Sequence, residues 1–150
     1  MKFTEGTIGR IFIIRLDDGD RLPSCIEKFA LEKGLTHAQV IMVGGSDKGQ
    51  VVSGPRYSDT MPPEPMLIPI DGAHEVLGVG LLAPGGEGNP ELHVHAALGR
   101  SGQTLTGCLR AGVETWLVGE VIIFEICGAQ ATRISDSISG FALLEPENRA

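Results

Sequence analysis

Two of the chain's four histidines stand one residue apart, as His93 and His95, in the stretch ELHVHAALGR. Successive side chains of a β-strand point to opposite faces, so these imidazoles share a face and lie within about 7 Å of each other. A third group of the right chemistry follows at Cys108. If the four residues Gly99 to Gly102 form the loop of a hairpin, Leu98 faces Gln103. Leu92 then meets Leu109, Val94 meets Gly107 and Ala96 meets Leu105, an apolar face. On the other face His93 meets Cys108, His95 meets Thr106 and Ala97 meets Thr104. A slip of one residue would send the second strand's apolar side chains to the opposite face, so the hydrophobic pattern itself supports this register. Opposed Cβ atoms are about 5 Å apart, and His93, His95 and Cys108 can converge on one point above the sheet. Imidazole and thiolate are zinc ligands, and three of them leave a fourth position for water or a ligand. The bland alternative is a small core cysteine beside two solvated histidines.

The elements that must position these groups are legible as patterns. Residues 7 to 16, TIGRIFIIRL, are β-branched and apolar and predict a first strand. DRLPSCIEKFALEKG predicts a helix with Pro23 in its first turn. Leu22, Ile26, Phe29 and Ala30 form its buried stripe, and Gly34 its stop. Cys25 lies beside that stripe and reads as a core thiol. HAQVIMVGG predicts a second strand ending at Gly44-Gly45, and KGQVVSG a third. Residues 54 to 65 carry four prolines and predict a loop. EVLGVGLLA, ELHVHAAL and QTLTGCLR predict further strands, and VETWLVGEVIIFEIC one long strand or two with a break near Gly119. The tail predicts an edge strand around SGFALLE before a frayed end, residues about 140–150. PGGEGNP is a glycine-rich turn without the GK[ST] ending of a phosphate loop. Strand, helix, then many strands predict an α+β fold: mostly antiparallel sheet, with one or two helices packed on it, as a single domain over 1–150.

Composition narrows the function classes. The net charge is −7, and the 12 basic residues form no run. Affinity for nucleic acid rests mainly on Lys and Arg neutralising phosphates, so the chain lacks that footprint. One Trp, one Tyr and five Phe leave little for base stacking. MKFTEGTIGR lacks the apolar core of a signal peptide, and no stretch is apolar for long enough to span a membrane. Three cysteines, Cys25, Cys108 and Cys127, cannot all pair within one chain. The expectation is a cytoplasmic protein with reduced thiols.

GAHEVLGVGLLA, ELHVHAALGRSGQTLTGCL and EVIIFEI together resemble the plant-and-prokaryote-conserved (PPC) domain family. Its pattern runs G-x-x-E-[IV]-L, then L-H-x-H-x-x-L-G, then G-G-H-L. The resemblance covers almost the whole chain and implies an α+β fold and a homotrimer. It also implies a zinc site, with His93 and His95 on the H-x-H and Cys108 at the third histidine, where this chain reads T-G-C-L. Cysteine is a competent zinc ligand, and it makes such a site oxidisable. Plant members bind DNA through AT-hooks, and no R-G-R-P core of that kind occurs here. The H-x-H layout is more distantly similar to acetolactate decarboxylase, in which zinc polarises a carbonyl. That chemistry would need charged groups near the metal, for which Arg110, Glu75 and Glu114 are candidates. His74 is a candidate further ligand, and Glu75 matches the family's glutamate.

Three functions therefore compete. The first is a homotrimeric zinc protein that binds a small ligand or acts in regulation. The second is a metal-dependent enzyme on a small carbonyl or carboxylate substrate. The third is a DNA-binding regulator, against which the acidic charge and the missing AT-hook count.

Overall fold

The computed structural model describes residues 1–147. In chain order the elements are β1 (Thr7–Asp17), β2 (Arg21–Leu22), α1 (Ser24–Lys33), β3 (Ala38–Lys48), β4 (Gln50–Pro55) and β5 (Pro65–Pro69). They continue with β6 (His74–Pro84), β7 (Pro90–Arg100), β8 (Gln103–Leu109), β9 (Val113–Cys127), β10 (Ala131–Ser135) and β11 (Ala142–Pro146). The main sheet runs β1-β9-β3-β6-β7-β8-β4-β5, with β2 paired to β9, and β10 and β11 form a separate hairpin. Every pairing is antiparallel. The α+β expectation holds, with a single short helix among the described residues. Among the described residues no helix is long and apolar enough to cross a membrane.

Alternation divides the sheet into two faces. Val40 and Met42 of β3, Leu82 of β6, and Val94 and Leu98 of β7 point inward and are buried, and Ile26 and Ala30 of α1 close over them. Leu22 belongs to this core too, but from β2 rather than from the helix. Gly34, at φ 63°, ends the helix, and its N–H donates to the Ala30 and Leu31 carbonyls. Glu27 of α1 accepts a hydrogen bond from the Leu92 N–H at 2.9 Å, which fastens the helix to β7 one residue before His93.

Three segments depart from the sequence reading. Strand β3 does not stop at Gly44-Gly45 but runs on to Lys48. A Cβ on Gly44 would lie 2.4 Å from the Val118 carbonyl oxygen, so the pair permits close approach of β9 at a bulge instead of ending the strand. Of the two readings for VETWLVGEVIIFEIC, the single long strand holds: β9 continues through that same bulge, where Leu117 has φ 66°. Besides the two-residue β2, two further strands escaped notice. The fully exposed β5 lies at the edge of the sheet, where its prolines need no ladder partner. In the tail, β11 takes up only the ALLE end of the expected SGFALLE strand and pairs with β10, which precedes it with Ala131 and Arg133 buried. The far end of the expected frayed tail, residues 148–150, lies outside the described residues.

Candidate metal centre

The turn between β7 and β8 sets the geometry of the site. Arg100 pairs with Gln103, Leu98 with Leu105, and His95 with Cys108. The loop is therefore Ser101-Gly102, two residues rather than the four from Gly99 to Gly102. Both have positive φ, 51° and 77°, the signature of a type I′ turn, whose twist matches that of the flanking strands. Cys108 consequently faces His95, not His93. The correction moves the register by an even number of residues, so every side chain keeps its face. Cys108 still stands on the side of both histidines.

That face brings the three groups together. One donor atom from each of His93, His95 and Cys108 lies within 4.8 Å of the others. The two Nε2 atoms are 3.1 Å apart, with the rings nearly perpendicular at 79°. Tetrahedral zinc with Zn–N bonds of about 2.0–2.1 Å separates two nitrogens by roughly 3.3 Å, and Zn–S bonds are about 2.3 Å. The two nitrogens stand close to that separation, and the Cys108 Sγ lies within 4.8 Å of both. Both histidines are exposed in the single chain, and Cys108 is half-buried.

Burial favours the ligating form of His93 and opposes the free thiolate of Cys108. Desolvation lowers the pKa of His93, helped by His95, Arg133 and Arg110, so its imidazole is neutral and ready to ligate at pH 7. Burial raises the pKa of Cys108, against the pull of Arg110 and Arg133, so without a metal it rests as the thiol. Val79 lies opposite His95 across the β6–β7 ladder and Leu81 opposite His93. Together with Gln39 and Ile126 these residues line a shallow cleft in front of the imidazoles.

The other candidates are scattered. His74 opens β6, and its Nδ1 lies 2.7 Å from the Gly72 carbonyl oxygen. Five residues of strand separate it from Val79, roughly 16 Å, so it is no partner of the triad. Glu75 is exposed opposite Gly99, at the same remote end. Glu114 is engaged with Arg21 at 3.1 Å and Lys48 at 3.2 Å. Arg110 is exposed just beyond β8 and acts on His93 and Cys108 by charge. The thiol of Cys25 is pushed up to about 11 by burial, which suits a core residue. Arg133 was missed, because the tail's sequence carries no sign that it folds back over β6.

The sequence profile of the Plants and Prokaryotes Conserved (PCC) domain matches residues 3–127. No curated protein matches the chain. Among solved structures, a metal-containing protein from Archaeoglobus fulgidus is similar, with 25% identity over 97% of this chain and 99% of that one and a TM-score of 0.84. A plant- and prokaryote-conserved protein from Pyrococcus horikoshii has 24% identity, full coverage of both chains and a TM-score of 0.83. A candidate DNA-binding protein from Bacteroides thetaiotaomicron has 17% identity over 96% of each chain and a TM-score of 0.75.

Proposed function

Since the chain belongs to the Plants and Prokaryotes Conserved domain family, we propose that it is a metal-binding member that holds one zinc ion through His93, His95 and Cys108. The observation that carries this reading is the convergence of two imidazoles and a thiol within 4.8 Å on one face of the β7–β8 hairpin. Three protein ligands leave a coordination position open, the arrangement of a site that binds or activates a small ligand rather than a closed structural one. The metal content of the Archaeoglobus protein, 25% identical, supports it.

The working unit in this reading is a homotrimer. The face that carries the donors also exposes Ile13, Leu77 and Val79, at 84%, 59% and 51% of their surface, with Val43 and Ile122 among them. Such an apolar patch on a chain of this size calls for a protein partner. The cleft in front of the imidazoles includes Val79, so a neighbouring subunit seated on the patch would reach the rim of the metal centre. DNA binding is the weaker reading, because a chain of net charge −7 repels phosphate.

Elemental analysis of chelator-free protein tests the metal. One zinc per chain, lost in both His93→Ala and Cys108→Ala, is the expected result. Zinc retained by Cys108→Ala would mean a third ligand from elsewhere, and a parent protein that refuses added zinc would end the reading.

A further inference from the structure

Arg133 lies on β10, beyond the residues matched by the family profile. It is only 7% exposed. Burying a guanidinium is costly unless its five N–H donors find partners. One of its terminal nitrogens donates to the Leu81 carbonyl at 2.9 Å. Its Nε is buried and, among the described residues, has no hydrogen-bond partner. Leu81 is the residue directly opposite His93, with Cα atoms roughly 5 Å apart, so the guanidinium is anchored to the β6 backbone beside the strand that carries the imidazoles. Its charge is felt at His93 and at Cys108, and that of Arg110 reaches the same two groups. Among the described residues neither guanidinium makes a salt bridge.

Two cations beside a set of metal donors oppose the arrival of a third. A divalent ion adds two positive charges, the Cys108 thiolate removes one, and the guanidiniums add two more. Glu91, the acid whose charge acts on Arg133, offsets one of these. The loaded site remains strongly positive, and a planar guanidinium with unused donors matches an oxyanion. We infer that the open position takes a small oxyanion, a carboxylate or a phosphate, with one oxygen toward the metal and another on Arg133. The inference rests on the metal reading above and adds the ligand's class.

The test uses cobalt-loaded protein, whose visible spectrum reports the coordination sphere, titrated with acetate, inorganic phosphate and, as a neutral isostere of acetate, acetamide. At least one anion is expected to shift the spectrum saturably while acetamide does not. A response to acetate alone assigns carboxylates, and one to phosphate alone assigns phosphates. Arg133→Gln should keep one cobalt per chain and bind the anion at least tenfold more weakly. Arg133→Lys should fall in between, and it carries the test if the glutamine variant does not fold. A parent protein blind to both anions, or arginine variants with unchanged affinity, would overturn the inference while leaving the metal reading intact. Failure of the parent to bind cobalt at all would instead defeat the metal reading, and this inference with it, and the metal content tells the two failures apart.

Discussion

At the scale of single residues, the unusual member of the triad is Cys108. Its pKa is raised by burial, so the metal-free protein carries a thiol there, and a metal must displace that proton. The sign follows directly. Below the thiol's pKa, zinc loading releases close to one proton per ion, and affinity climbs as pH rises toward that pKa. His93 is already neutral at pH 7, because its pKa is lowered, and contributes no proton there. Zinc titration in two buffers of different ionisation enthalpy, read by calorimetry, measures the release. Cys108→His, which restores the third histidine of the pattern the chain resembles, should keep one zinc per chain and release almost no proton at pH 8. Proton release unchanged in that variant would show that the cysteine is not a ligand. These three donors were legible in the sequence, since an H-x-H in a strand and a cysteine on the same face of the next strand follow from alternation alone. His74 was not excludable by that argument. Its remoteness depends on where β6 pairs with β7, which no local pattern states.

At the scale of elements, the hairpin and the bulges decide how well the site is held. Gly102 sits at φ 77° with open space around it, so Gly102→Ala costs only the left-handed backbone, about 1 kcal/mol in urea unfolding. Gly44→Ala adds a collision with the Val118 carbonyl to a φ of 142°, and should cost about 3 kcal/mol. Equal effects at the two glycines would contradict the bulge described between β3 and β9. The β1–β9 edge has its own fastening. Arg10 lies at the bulge between Ile8 and Ile11, and its backbone N–H and guanidinium donate to the Glu125 carboxylate at 2.7–2.9 Å. Those hydrogen bonds, side chain first and then backbone, hold the Glu125 carboxyl down at about 2. A depressed carboxylate stabilises the fold above its unfolded pKa, near 4.5, and loses that contribution as pH falls toward 2. Glu125→Gln should therefore flatten the stability curve between those values, as followed by thermal melts from pH 5 to pH 2. A parent-like slope would place the acid sensitivity elsewhere.

At the scale of the whole molecule, the main sheet has two apolar faces, and the described residues supply one helix and the β10–β11 hairpin to cover them. The inner face is closed by α1, and the outer face leaves Ile13 and Leu77 in solvent. Light scattering of the parent should give a trimer. Leu77→Glu puts a charge in the middle of that face without touching the core, and should shift the mass toward a single chain at micromolar concentration. A trimer that survives the charge would assign the patch to some other occupant. The exposed donors and the apolar face lie on the same side of the sheet, so the variant also asks whether metal binding depends on assembly.

What the sequence determined by itself was what local alternation and turn chemistry can carry. It specified the first strand, the helix with its Gly34 stop, the strands from β6 to β9, and the common face of His93, His95 and Cys108. Side-chain faces repeat every two residues, so even the wrong loop length left that face intact. Tertiary structure alone decided which residues stand opposite each other, that Gly44 and Gly45 lie inside a strand, and that the tail packs against β6. It alone brought Arg133 to the Leu81 carbonyl, opposite His93. A residue far along the chain meets the site only through packing between elements, and the five residues of β10 announce no such partner. The donors were thus legible as a local pattern, while the approach of Arg133 to them was set by the fold.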